Sequence, residues 1–144
     1  MAMYQKILVA LENSPADKHL LPEVAALAKL LRSQVLLLHV ADGWAARHFE
    51  DLKLAESEEM REDRNYLEGL AAQLRAEGLQ VNTCLALGNP PDEILKTADR
   101  ESCDLIAMAT HGHRYLSDIL HGSTIAEVRH RAIAPLLLVR AGKP

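Results

Sequence analysis

The segment Ala109-Thr110-His111-Gly112, followed after nine residues by Gly122-Ser123-Thr124, puts small residues and hydroxyls directly behind the apolar run Asp104-Leu105-Ile106-Ala107-Met108. A buried strand that opens into such a loop and then a helix start exposes backbone N–H groups. At the first turn of a helix these have no internal partner and bind anions. Phosphate is the anion this chemistry suits. The alternative is a tight strand-to-helix turn with an ordinary capping serine, which needs no ligand.

Other residues in the same stretch carry possible chemistry. Arg114 offers a guanidinium to a phosphate, or is a solvated loop charge. His111, His113 and His121 could present imidazoles to a metal, but no third ligand accompanies the His-x-His pair. Cys84 and Cys103 lie in or beside apolar segments without metal-ligand spacing and read as reduced core thiols. Hydrolytic chemistry is not indicated: there is no Walker lysine, no assembled catalytic set, and at most a slow ATPase is expected.

The elements that must position these residues follow from periodicity. Lys6–Leu11 is a short continuous apolar run of the kind a parallel strand covered on both faces requires, and it ends at Glu12-Asn13-Ser14. Ser14, Pro15 and Asp17 give a helix-start signal, after which Leu20, Leu21, Val24, Leu27, Ala28 and Leu31 recur at helical spacing. A second strand is expected over 34–40 and a loop with Trp44 and Phe49 after it. A long helix is expected over 54–77, with Glu56, Glu58, Glu59, Glu62 and Asp63 placed to suit its dipole. Gly78 marks its end and 80–87 forms a third strand. Gly88-Asn89-Pro90-Pro91 is a turn, 92–101 a short helix, 104–110 strand four, 123–130 a helix and 134–140 strand five. The expected architecture is an α/β doubly wound, five-stranded parallel sheet with helices on both faces, in one domain spanning 1–144, with ligands held beyond the carboxyl ends of the strands.

Composition narrows the function classes. The 144 residues are 49% hydrophobic but only 3% aromatic, so the core is built from Leu, Val, Ile and Ala, as layered α/β packing allows. A net charge of −4 and the lack of a basic stripe speak against a nucleic-acid partner. No stretch has transmembrane length and no signal-peptide pattern opens the chain, which leads to an expectation of a cytoplasmic protein without membrane association.

Taken together, Lys6-Ile7-Leu8-Val9, His39-Val40, Asp104-Leu105-Ile106 and Pro135-Leu136-Leu137-Leu138-Val139 make nearly the whole chain resemble the universal stress protein family. That resemblance implies the adenine nucleotide alpha hydrolase-like fold with strand order 3-2-1-4-5. Nucleotide-binding members carry Gly-x-x-Gly, nine residues, then Gly-Ser/Thr, and the matching positions here are Ala109, Gly112, Gly122 and Ser123. The resemblance implies ATP (or ADP or AMP) with Mg²⁺ as a regulatory ligand. Val40 would meet adenine through its backbone, Gly112, Ser123 and Thr124 would hold phosphate, and Ala10, His111, His113, Arg114 and Ile125 would complete the site.

Two departures stand out. Glu12 occupies the place of the family's usual Asp, which engages ribose or metal; the other reading of Glu12 is a solvated acid. Ala109 replaces the first glycine, a change that matters most if the position needs a positive φ. Trp44 and Phe49 could cover the base or pack locally. The apolar last strand, with Leu136, Leu137, Leu138 and Val139, is expected at a sheet edge, and the resemblance implies a homodimer through it. The competing function is a dimeric stress or interaction protein of the same fold that binds no nucleotide; an ATP-dependent enzyme is weaker, because no substrate domain is appended.

Overall fold

A computed structural model describes residues 3–41, 53–111 and 118–142, with side chains omitted for 53–57 and 118–123. Trp44, Phe49, Gly112, His113 and Arg114 lie outside the described residues. The strands are β1 (Lys6–Leu11), β2 (Gln34–Ala41), β3 (Gln80–Leu87), β4 (Leu105–Thr110) and β5 (Leu136–Arg140). The helices are α1 (Asp17–Leu31), α2 (Lys53–Ala76), α3 (Pro90–Arg100) and α4 (Asp118–Arg131). All strand pairs are parallel and the order is β3-β2-β1-β4-β5, as expected.

The central strand explains the continuous apolar runs. Val9 pairs with Leu37 on one side and Ala107 on the other, and Ile7, Leu8 and Val9 are fully buried because helices cover both faces. Period-two alternation divides the core. Ile7, Val9, Leu37, Ala107 and Ala109 join Leu20 and Val24 of α1 and Leu67 and Leu74 of α2. Leu8, Leu36, Leu38, Ile106 and Met108 join Ile94 of α3 and Val128 of α4. At the amino end of the sheet the Asp104 carboxylate accepts from the N–H groups of Gln5 and Lys6 at 2.9 and 3.0 Å, locking β1 beside β4.

Three helix starts differ from the sequence reading. Residues 14–17 form a turn instead of the first turn of α1: Asp17 N–H donates to Ser14 O at 3.1 Å, and the Asp17 carboxylate reaches back to the N–H groups of Glu12 and Asn13. Helix α3 begins two residues early, at Pro90, because prolines in a first turn sacrifice no hydrogen bond. Helix α4 begins at Asp118, not Ser123. Ile119 and Leu120 are acceptable helix residues, and an interior Gly122 costs only about 1 kcal/mol relative to Ala. Gly122 and Ser123 therefore stand in the second turn of α4 and not at its start.

Candidate functional site

A cavity of about 370 Å³ opens at the carboxyl ends of the strands. It lies where β1 is flanked by β2 and β4 and the chain's winding reverses, the place where this topology leaves a crevice. Its walls come from five parts of the chain. The end of β1 gives Ala10, Leu11 and Glu12; β2 gives Leu38, His39 and Val40; β4 gives Met108 and Ala109. Asn89, Pro90, Pro91 and Ile94 come from the β3–α3 turn and α3, and Thr124, Ile125 and Glu127 from α4. The floor is apolar, and polar groups gather at the rim.

The structure thus gathers Ala10, Glu12, Val40, Ala109, Thr124 and Ile125 of the expected site. His111 joins them through its Nε2–H, which donates to the Glu12 carboxylate at 2.8 and 2.9 Å. Ser14 Oγ donates to the same carboxylate at 3.1 Å.

Ala109 is an ordinary strand residue. It pairs with Val139, its φ is outside the left-handed region, and it belongs to the core on the α1–α2 side of the sheet while also lining the cavity. The added methyl is accommodated by the core and demands no unusual backbone.

Behind Glu12 lies a buried polar network that the sequence reading did not find. Asp17, 1% exposed, accepts from the N–H groups of Glu12 and Asn13 at 2.9 Å each and from the Tyr66 hydroxyl at 2.5 Å. Burial, reinforced by the Asp17 hydrogen bond and charge, raises the Tyr66 phenol well above its ordinary pKa and keeps it a neutral donor. Asn13, in the left-handed region at φ 58°, donates through Nδ2 to Asp63 at 2.9 Å. The other Asp63 oxygen is 3.7 Å from His39 Nε2, and His39 Nδ1–H donates to Leu11 O at 2.9 Å. Asp63 is thus a buried partner well inside α2, not one of the acids that suit the helix dipole. Its signal was present: Asp63, Leu67, Leu70 and Leu74 share one helix stripe, and Tyr66 and Asn13 are residue types that need partners when buried.

The site residues missed from sequence were Leu11, Leu38, His39, Asn89, Pro90, Pro91, Ile94, Met108 and Glu127. The Gly88-Asn89-Pro90-Pro91 turn was legible, and its place at the carboxyl end of β3 was the clue. Gly88 adopts φ 140°, where a side chain would be strained and would press on Glu93 at 3.2 Å. Arg131 joins the two helical walls, donating to Asp92 of α3 at 2.8 Å and to Glu127 of α4 at 3.2 Å. No group of three His, Cys, Asp or Glu side chains suited to a metal occurs among the described residues. Among them also, no helix is long and apolar enough to cross a membrane. Both thiols are free, and burial pushes that of Cys103 up to about 11.

Comparison with known proteins agrees with this architecture. The model of the Universal stress protein family matches residues 3–140. Universal stress protein MJ0577 of Methanocaldococcus jannaschii is 30% identical over 96% of either chain. The solved structure of MJ0577 superposes with a TM-score of 0.83 over 99% of both chains at 31% identity. A universal stress protein in complex with cAMP has a TM-score of 0.70 at 18% identity, over 96% of this chain and 98% of that one. The universal stress protein from Archaeoglobus fulgidus in complex with dAMP has 0.65 at 21%, over 96% and 99%. The last two likenesses concern the fold.

Proposed function

This chain belongs to the universal stress protein family, and we propose that it binds an adenine nucleotide, ATP foremost and ADP or AMP by the same contacts, as a regulatory ligand in the cytoplasm. The observation that carries this reading is the cavity at the carboxyl ends of β1, β2 and β4, an apolar slot with a polar rim beside Thr124. The base lies between Ala10, Val40, Met108 and Ile125, with the Val40 backbone at its edge. By the family motif the phosphates would be held by Gly112, His113 and Arg114 together with Gly122, Ser123 and Thr124, with Mg²⁺ arriving on them. Structural neighbours in complex with cAMP and dAMP support a nucleotide of this class. No step of hydrolysis is assigned.

One observation favours a second reading, a dimeric interaction protein that binds no nucleotide. With α4 starting at Asp118, the N–H groups left without helical partners belong to its first turn and not to Ser123. Calorimetric titration with ATP, before and after a Ser123→Tyr substitution, decides between them. The nucleotide reading expects saturable binding that weakens at least tenfold in the variant while the circular dichroism is unchanged. No heat at millimolar ATP selects the second reading, and unchanged affinity in the variant moves the phosphates elsewhere.

A further inference from the structure

A carboxylate at the end of β1, beside a nucleotide's phosphates, is a natural ligand for their cation, and Glu12 is the acid in that place. Its surroundings oppose the role. His111 Nε2 is 2.8 Å from Oε1 and 2.9 Å from Oε2, so its N–H lies on the bisector of the carboxylate. That notch is where a cation chelated by both oxygens must sit. Ser14 Oγ also donates to Oε1, and the Glu12 and His111 side chains are only 15% and 13% exposed. Mg²⁺ demands near-octahedral oxygen ligation at about 2.0–2.1 Å; an N–H filling the notch excludes chelation by both oxygens, and either oxygen would have to bind the cation singly while already accepting from His111.

The pair has another use. The β1–β4 ladder ends with Ala10 opposite Met108. Beyond that rung the strand ends carry Glu12 and His111, 99 residues apart in sequence, and the pair ties them together across the rim of the cavity. We propose that Glu12 is a positioning residue, a clasp that holds His111 and the end of β4 against β1, and that it does not ligate the cation of a bound nucleotide. The inference deepens the nucleotide reading and rests on it only for its effect on affinity. The cation then keeps phosphate and water ligands on the Glu12 side.

Side-chain length separates clasp from ligand. Aspartate keeps the charge but withdraws it by one carbon–carbon bond, about 1.5 Å, beyond reach of His111. Glutamine keeps the reach and an acceptor oxygen but not the charge. Titration of the full chain with ATP, in Mg²⁺ and again in EDTA, is therefore run on Glu12→Ala, Glu12→Asp and Glu12→Gln. The clasp expects the Ala and Asp variants to bind at least tenfold more weakly, by the same factor in both buffers, and Gln to recover to within threefold of the parent. His111→Ala should match Glu12→Asp, and the double variant should fall no further. Retention of affinity by Asp with a loss in Gln confined to Mg²⁺ would overturn the clasp, as would any other ranking.

If the parent chain binds no ATP, the nucleotide reading fails, and the clasp is decided separately by nitrogen-15 NMR of the His111 imidazole in the ligand-free protein. The expected spectrum shows a hydrogen-bonded Nε2–H in the parent and Glu12→Gln that is lost in Glu12→Asp. An identical signal in all three contradicts the proposal.

Discussion

Replacing Ala109 with glycine isolates the effect of a single methyl group at the strand end where the family motif has glycine. The methyl is part of the core on the α1–α2 side, and the residue is 3% exposed. Removing it forfeits about 0.8 kcal/mol of burial. Glycine inside a strand adds roughly 0.5–1 kcal/mol of conformational entropy cost. Ala109→Gly should therefore destabilise the chain by about 1.5 kcal/mol, which for a domain of this size lowers the melting temperature by about 5 °C. Nucleotide affinity should stay within twofold, because the backbone path is that of a normal β residue paired with Val139 and the residue packs into the α1–α2 core. Thermal unfolding followed by circular dichroism measures the first effect, and calorimetric titration with ATP the second. A variant that keeps its melting temperature and binds ATP tenfold more tightly, about 1.4 kcal/mol, would show that the methyl obstructs the ligand and that this reasoning is wrong.

Asp17→Ala leaves the N–H groups of Glu12 and Asn13 and the Tyr66 hydroxyl without their buried acceptor and should cost about 3 kcal/mol in urea unfolding; a loss under 0.5 kcal/mol would remove the network from the stability of the site. The Cys103 thiol is pushed up to about 11 from 9.0 by burial, so the stability from its protonated form is full below pH 9 and is lost as pH rises through 11. Iodoacetamide at pH 8 should accordingly label Cys103 only after unfolding, and rapid labelling in the folded chain contradicts this. The edge strand β5, with Leu138 40% exposed and Ile133 fully exposed beside it, should pair with its copy in a homodimer. Sedimentation at micromolar concentration should give a dimer that Leu138→Lys converts to monomer, and a monomeric parent chain excludes the interface.

What could be read from the sequence was what local pattern controls. Continuous apolar runs such as Lys6–Leu11 and Leu105–Thr110 could only be buried strands, and their alternation with helices led to the parallel order now seen. Helix starts were less legible because prolines, glycines and acids carry more than one signal. Pro90-Pro91 reads as a turn yet opens α3, Gly122 reads as a break yet is spanned by α4, and Asp17 reads as the partner of a capping serine yet braces the loop before it. The site divided in the same way. Glu12, Val40 and Ala109 were found because they end strands, whereas Asn13, Asp63 and Tyr66 meet only through tertiary packing. Pro90, Pro91 and Ile94 were missed because the wall they form belongs to the strand farthest from the motif.

Whether the chain holds an adenine nucleotide is decided by native mass spectrometry of freshly purified protein, followed by calorimetric titration of the nucleotide-free chain with ATP. One adenine nucleotide per subunit is expected, either retained through purification or taken up saturably on titration. A chain that carries no nucleotide and produces no binding heat at millimolar ATP with Mg²⁺ would contradict it.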